Sequence, residues 1–304
     1  MSDRTPPTIG LLYPGELGAA LAAMLRRRGL TVVTTLAGRG PVTARRAREL
    51  ELTVLDDLAE VVARSDIVIC VVPPVAAERV ADEYCALADR AQKGAIYLDM
   101  NSIGPELAGR LGRKIERSGR AFVDAAANGL ATNLARSGTL FLSGERAGEV
   151  AAAFDGAMRV QVMGTEAGQA SAMKMLLSGL SKGVCALFLE LALTAERRGM
   201  LPQMIESAGR IYPGIWEVAQ RMLPTYRLHA GRRASEMAEV EAMLRSDGIE
   251  ACVIAAVRHL HEMLAESYGD SGRCTAGDLT ADSMIQQLAS GGVLSARNDA
   301  LPSV

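Results

Sequence analysis

Apolar residues along this chain keep two rhythms, and the change between them falls near residue 164. Up to that point, short apolar runs alternate with longer stretches at helical spacing. Residues 8–12, 30–35, 67–72, 95–99, 121–124, 139–143 and 160–162 read as strands, and stretches such as 19–28, 75–91, 105–118 and 145–158 read as helices. Strands alternating with helices predict a largely parallel, doubly wound sheet. Their unbroken apolar character predicts burial on both faces. After Gly164 no strand-like run follows. Residues 167–199 read as one helix, with no proline between Pro105 and Pro202. About 33 residues at about 1.5 Å each give roughly 50 Å, and Gly199 and Pro202 supply the stop. Further helices are expected near 215–222, 232–245, 249–267 and 278–289, and the Gly-, Ser- and Asn-rich stretch 290–304 reads as frayed. The prediction is an α/β fold over residues 1–164 followed by an all-α domain over residues 165–304.

The first strand breaks into Tyr13-Pro-Gly15-Glu-Leu-Gly18, which opens an alanine-rich helix. Gly15 would let the backbone approach a pyrophosphate and Gly18 would let the helix pack on the strand, with the free N–H groups of the first turn holding the phosphates. This makes the first domain a Rossmann-like, doubly wound parallel sheet. Tyr13 occupies the first glycine position of the usual GxGxxG register, so the strict motif is absent, and an ordinary α/β turn that uses glycine for geometry alone is the competing reading. The second strand runs into Thr34-Thr35-Leu-Ala-Gly-Arg39, with no acid before Glu49. An NAD site usually has an acid there for the ribose hydroxyls. Thr35 and Arg39 suit a 2′-phosphate instead, so the reading prefers NADP over NAD. The alternative is that Arg39 is a solvated loop charge.

Lys174 is the leading chemical candidate. It lies early in the long helix between Met173, Met175, Leu176 and Leu177, where partial desolvation would favour the neutral amine. Such a lysine suits a general acid/base that moves a hydroxyl proton during hydride transfer. Ser178, at i+4, can share the same substrate oxygen. On local sequence alone, a helical lysine that snorkels to water is the commoner outcome. Lys182 lies roughly 80° further round the helix and either helps bind an anion or faces solvent. His229, Arg232 and Arg233 form a basic cluster that either closes over an acidic substrate or decorates a helix start.

The chain has 304 residues, 49% hydrophobic and 22% charged, with a net charge of −2. That balance gives no electrostatic case for nucleic acid or an anionic membrane as partner. No apolar run is long enough to span a bilayer, and the polar N-terminus is unlike a signal peptide. Cys70, Cys85, Cys185, Cys252 and Cys274 show neither metal spacing nor a disulfide framework, so a metal-free protein of the reducing cytoplasm is expected.

Several segments occur in a telling order. The glycine turn, a strand ending in Pro73-Pro74, Asp99-Met-Asn101-Ser102, Asp124-Ala-Ala-Ala-Asn128-Gly129-Leu130, Gly138-Thr-Leu and a long helix with an early lysine resemble the β-hydroxyacid dehydrogenase superfamily. Its members include 3-hydroxyisobutyrate and 6-phosphogluconate dehydrogenases. The likeness covers roughly residues 8–199. The pair Lys174 and Lys182-Gly183, with residues 229–237, resembles a distinct phosphogluconate dehydrogenase-like subgroup. The resemblance implies that Gly15, Glu16, Leu17 and Gly18 face the pyrophosphate, that Val72 and Pro73 line the adenine-ribose side, and that Asn101 sits by the nicotinamide ribose. It also implies that Asn128, Gly129 and Leu130 hold a substrate carboxylate and that Lys174 is the acid/base. Leu130 stands where the family has a second glycine, and Ser178 where it usually has asparagine, which bears on the substrate more than on the chemistry.

The expected function is an NADP-preferring dehydrogenase or reductase that interconverts a small anionic hydroxy acid and its oxo or semialdehyde form in an interdomain cleft. The alternatives are an imine reductase, whose relatives usually lack the lysine, and a non-catalytic NADP-binding regulator. A long helix that is apolar on most faces, together with the resemblance, predicts a homodimer built on the helical domain.

Overall fold

The computed structural model describes residues 6–90, 94–129, 133–268, 279–292 and 294. The chain divides into two compact units, Met1–Lys174 and Met175–Val304.

The first unit alternates strand and helix: β1 Ile9–Leu12, α1 Glu16–Arg27, β2 Val32–Thr35, α2 Pro41–Glu49, β3 Thr53–Leu55, α3 Leu58–Arg64, β4 Ile67–Cys70, α4 Pro74–Ala86, β5 Ile96–Asp99, α5 Pro105–Arg117, β6 Ala121–Asn128, α6 Leu134–Ser137, β7 Thr139–Ser143, α7 Ala147–Phe154 and β8 Arg159–Gly164. The strands form one eight-stranded sheet in the order β3-β2-β1-β4-β5-β6-β7-β8. All neighbours pair in parallel except β6 and β7, so β7 and β8 run against the other six. The expected doubly wound, Rossmann-like parallel sheet is present, with this reversed pair at one edge.

Alternation along the strands explains the apolar runs. Ile9, Leu11, Ile67, Ile69, Ile96 and Leu98 belong to one core. Leu12, Val68, Cys70, Ala95 and Tyr97 belong to the other. Successive side chains point to opposite faces and helices cover both, so these strands read as apolar runs, with buried Asp99 at the carboxyl end of β5 as the polar exception. Gly18 is required where α1 meets the sheet, since a Cβ there would lie 2.3 Å from Tyr13 O.

Three elements between β2 and β4 lie outside the sequence expectation. Helix α2 buries only Ala47, and β3 is a three-residue edge strand with one buried position. Neither carries enough apolar periodicity to register.

Helix α8, Gln169–Arg197, carries the chain from the first unit into the second. Its 29 residues give about 44 Å, shorter than the roughly 50 Å expected. Among the described residues it is the one helix long and apolar enough by composition to cross a membrane, with a window of mean hydropathy 1.7. Core helices of water-soluble proteins meet the same test, and Cys185, Phe188, Leu189, Ala192 and Leu193 of α8 lie in the core of the second unit. Gly199, at φ +68°, ends the segment. Pro202 then sits in the first turn of α9, Leu201–Ile211, where its missing N–H costs nothing. The second unit continues with α10 Pro213–Met222, α11 Ala230–Ser246, α12 Cys252–Tyr268 and α13 Ala281–Ser290. It contains no strand among the described residues.

Candidate active site

The carboxyl ends of the parallel strands share one edge of the sheet. Leu12 pairs with Cys70, Cys70 with Asp99 and Asp99 with Asp124. Gly15, Glu16, Leu17 and Gly18 follow β1. Thr35 ends β2, with Arg39 in the loop beyond. Val72 and Pro73 follow β4, Asn101 follows β5, and Asn128 ends β6 with Gly129 behind it. The structure therefore brings these positions to one edge. Leu130 lies outside the described residues. With β1 between β2 and β4, the chain crossover reverses at β1, and open α/β sheets bind ligands in the crevice at such a switch point.

The start of α1 fits a dinucleotide pyrophosphate. Gly15 is its N-cap, and a Cβ there would meet nothing within 4 Å. The first-turn amides of a helix lack intrahelical partners and attract anions. Thr35 is buried and shapes the next loop: its Oγ1 accepts from Ala37 N–H and donates to Asp56 O, both at 3.3 Å.

Asn101 has a definite structural role. It is buried, its Oδ1 accepts from Val72 N–H at 2.7 Å, and its Nδ2 donates to Asp99 Oδ2 at 2.8 Å. Asp99 Oδ1 also accepts from Asn101 N–H at 3.0 Å. The amide thus ties the loop after β4 to the loop after β5. Burial pushes the Asp99 carboxyl up to about 7, with nearby Asp124 adding to the rise and the Asn101 hydrogen bonds opposing it.

The N-terminus of α8 is fixed by a carboxylate from the sheet. Asp124 Oδ2 accepts from Gly168 N–H at 3.1 Å and Ser171 N–H at 2.9 Å, and Oδ1 accepts from Ser171 Oγ at 2.7 Å. Ser143 Oγ donates to Asp124 at 3.3 Å and accepts from Ala170 N–H at 3.1 Å. Burial raises the Asp124 pKa against the pull of these hydrogen bonds. Gly168, at φ +103°, makes the tight entry; a Cβ there would lie 2.7 Å from Pro105 O.

One turn after this anchor, half-buried Lys174 donates from Nζ to Ser102 Oγ at 2.9 Å. Ser102 lies in the loop after β5, next to Asn101. The lysine amine is therefore held at the edge that carries the glycine turn, beside the positions expected to face the nicotinamide.

In the second unit, Lys182 faces neither water nor an open anion site. It is buried, donates to Ser178 Oγ at 2.5 Å and pairs with Glu236 at 2.7 Å. Burial lowers its pKa and Glu236 opposes the shift. The basic cluster separates. Arg232 pairs with Glu236 on the surface. Arg233 is buried and donates to Met222 O, Thr225 O and Thr225 Oγ1. His229 is half-buried at the start of α11, with its pKa lowered by burial and by Arg232 and Arg233. Among the described residues no cluster could hold a metal ion.

Residues 8–179 match the NAD binding domain of 6-phosphogluconate dehydrogenase, and residues 195–264 match a domain of unknown function (DUF1932). The chain belongs to the β-hydroxyacid dehydrogenase superfamily. A conserved protein of unknown function, described as structurally similar to 3-hydroxyacid dehydrogenases, is 31% identical, covering 85% of this chain and 97% of that one at a TM-score of 0.72. Mitochondrial 3-hydroxyisobutyrate dehydrogenase of Mus musculus is 28% identical over 155 residues, which span 50% of this chain and 45% of the mouse enzyme. The 3-hydroxyisobutyrate dehydrogenase of Mycobacterium tuberculosis, solved with L-serine, shares the fold at a TM-score of 0.76 and 18% identity, over 93% of this chain and 99% of that one. The superfamily's NAD-binding match runs through Lys174 and Ser178.

Ser102 and Asp124 stand in the family-like segments with no role of their own, and Ser171 is a functional position the sequence does not single out. Ser171 lies in the first turn of α8, where its amide lacks an intrahelical partner, and both its N–H and Oγ donate to Asp124.

Proposed function

We propose that this protein is an NADP-preferring dehydrogenase or reductase that interconverts a small anionic hydroxy acid and its oxo or semialdehyde form. The observation that carries the reading is the Lys174–Ser102 contact at the carboxyl edge of a dinucleotide-binding sheet. The pyrophosphate would rest on the first turn of α1, and Arg39 would meet a 2′-phosphate. When bound, the nicotinamide supplies or accepts the hydride. Lys174 takes the hydroxyl proton in oxidation and returns it to the carbonyl oxygen in reduction. Ser102 holds the amine in place. Asn128 and Gly129 are proposed to hold the substrate carboxylate, and Ser178 to assist at its oxygen.

We also propose a homodimer built on the second unit, acting in the cytoplasm. On α8, Leu180, Leu187 and Leu191 are 64%, 61% and 54% exposed. They line two apolar hollows: Leu180 and Leu187 one of about 590 Å³ shared with α12, and Leu187 and Leu191 one of about 360 Å³ shared with α9 and α10. Exposed apolar side chains and hollows together on one surface suit a two-fold, self-complementary contact. Exposed apolar surface of this kind is characteristic of interfaces.

The test is oxidation of NADPH and NADH with a panel of semialdehydes, keto acids and cyclic imines. Turnover of a keto acid or semialdehyde with NADPH supports the reading. Turnover of imines alone would replace it with imine reduction, and binding of NADPH without turnover would replace it with a regulatory role.

A further inference from the structure

Tyr13 stands directly after β1, where a dinucleotide turn of the usual pattern has its first glycine. The turn survives the substitution, because Tyr13 O accepts from Gly15 N–H at 2.8 Å. What the substitution adds is an aromatic ring just beyond the carboxyl end of β1, half-buried against the core that holds Leu12, Val68 and Cys70. The guanidinium of Arg39 lies over that ring, with Cζ 4.2 Å from the centroid. Arg39 Nε also faces Ala37 O at 3.4 Å. The loop beneath it is pinned by Thr35 through Ala37 N–H and Asp56 O. One face and one edge of the guanidinium are therefore engaged, and among the described residues Arg39 forms no ion pair with a carboxylate. The Nη edge has no hydrogen-bond partner among the described residues.

We propose that Tyr13 is a specificity-determining residue of the nucleotide site: its ring holds the planar Arg39 guanidinium in the orientation that meets the adenosine 2′-phosphate. This rests on the reading of Arg39 as the phosphate partner. A free arginine side chain loses rotamer freedom when it binds, and a planar fork already placed on a ring loses less. NADH has no 2′-phosphate and gains nothing from the platform. Discrimination between the cofactors then belongs to the Tyr13–Arg39 pair and not to the Arg39 charge alone.

The experiment is equilibrium titration of the full chain with NADPH, NADH, 2′,5′-ADP and 5′-AMP, followed by fluorescence or calorimetry. The proteins are the wild type, Tyr13→Leu, Tyr13→Met, Tyr13→Phe, Arg39→Ala, Arg39→Lys and the double variant Tyr13→Leu/Arg39→Ala. Loss of a partly exposed cation–π contact predicts about three- to tenfold weaker binding of NADPH and 2′,5′-ADP by Tyr13→Leu, with NADH and 5′-AMP unchanged. Tyr13→Phe keeps the ring and should keep the preference. In the Arg39→Ala background, Tyr13→Leu should change nothing further. Arg39→Lys keeps the charge without the planar fork and should lose most of the preference, and Tyr13→Met, which also removes the ring, repeats the platform test where Tyr13→Leu does not fold. The proposal is overturned if Tyr13→Leu leaves the NADPH to NADH ratio intact, if its effect persists without Arg39, or if Arg39→Lys behaves as wild type. A ratio unmoved by Arg39→Ala itself would instead remove the phosphate reading of Arg39 on which the proposal stands.

Discussion

Lys174 Nζ and Ser102 Oγ, 72 residues apart in sequence, meet at 2.9 Å. The contact joins the first turns of α8 to the loop after β5, and it fixes where the amine points. Ser102 is exposed and carries no packing. Ser102→Ala should therefore leave the melting temperature unchanged while lowering kcat about two- to tenfold, the worth of one partly solvated hydrogen bond to a charged group. Steady-state kinetics beside a thermal melt checks both halves. A fall in stability with kcat intact would make the contact structural only.

The anchor behind Lys174 is Asp124. Asp124→Ala strands Gly168 N–H, Ser171 N–H and two hydroxyls in a buried place. Unsatisfied buried donors predict a loss on the order of 3 kcal/mol in denaturant unfolding. Asp124→Asn retains one acceptor oxygen and should lose distinctly less. Equal losses would show that the hydrogen bonds to α8 contribute little.

How far the sequence carries is plain from this pair. Lys174 stands out in the sequence as a lysine among apolar neighbours early in a long helix, and Asp124 only as one letter of a family-like segment. The glycine turn, the doubly buried strands and the helix that starts near Gly168 followed from apolar spacing and backbone geometry. The identity of Lys174's partner did not, because a hydrogen bond between residues 72 apart leaves no periodic trace. Arg233 shows the same limit in reverse. Next to Arg232 it reads as surface charge, yet it is buried on carbonyls while Arg232 pairs outside. Adjacent helical residues point about 100° apart, and only packing decides which one turns inward.

Lys182 and Glu236 form a partly buried ion pair in the second unit. Glu236→Ala leaves Lys182 without its partner, and breaking such a pair by one member typically costs about 3–5 kcal/mol in the buried limit. Glu236 keeps 32% of its side-chain surface in water, which lowers the expected loss to about 1–3 kcal/mol. The double variant Lys182→Met/Glu236→Leu should be more stable than Glu236→Ala alone, by denaturant unfolding. NADPH affinity should be unmoved in either. A double variant no better than the single one would contradict the pairing.

Two buried groups set opposing pH slopes. His261 is fully buried, and neither ring nitrogen has a hydrogen-bond partner among the described residues. Burial, then Arg233 and Lys182, hold its pKa down to about 3, from an ordinary 6.5, with Glu236 opposing. The unfolded chain binds that proton first, so this contribution to stability falls as pH drops from 6.5 toward 3. Asp99 is raised from 3.8 to about 7, so the native state holds its proton and its contribution is lost as pH rises from about 4 through 7. Between about 4 and 6.5 the two slopes offset. Relative to wild type, His261→Phe should become progressively more stable as pH is lowered from 6.5, and Asp99→Asn more stable as pH is raised through 7. Unfolding free energies across pH 4–8 decide this. Parallel curves for variant and wild type would contradict the assignment.

Lys174 is the residue proposed to move the proton. The decisive measurement is single-turnover oxidation of NADPH by Lys174→Ala, with a substrate found in the panel, beside NADPH titration and a thermal melt of the same protein. Folding and NADPH affinity should be unchanged, because the cofactor phosphates are proposed to rest on α1, while turnover should fall about 10²–10⁴-fold, the usual worth of general acid–base catalysis. Near-full turnover by Lys174→Ala would contradict it and place the proton donor elsewhere.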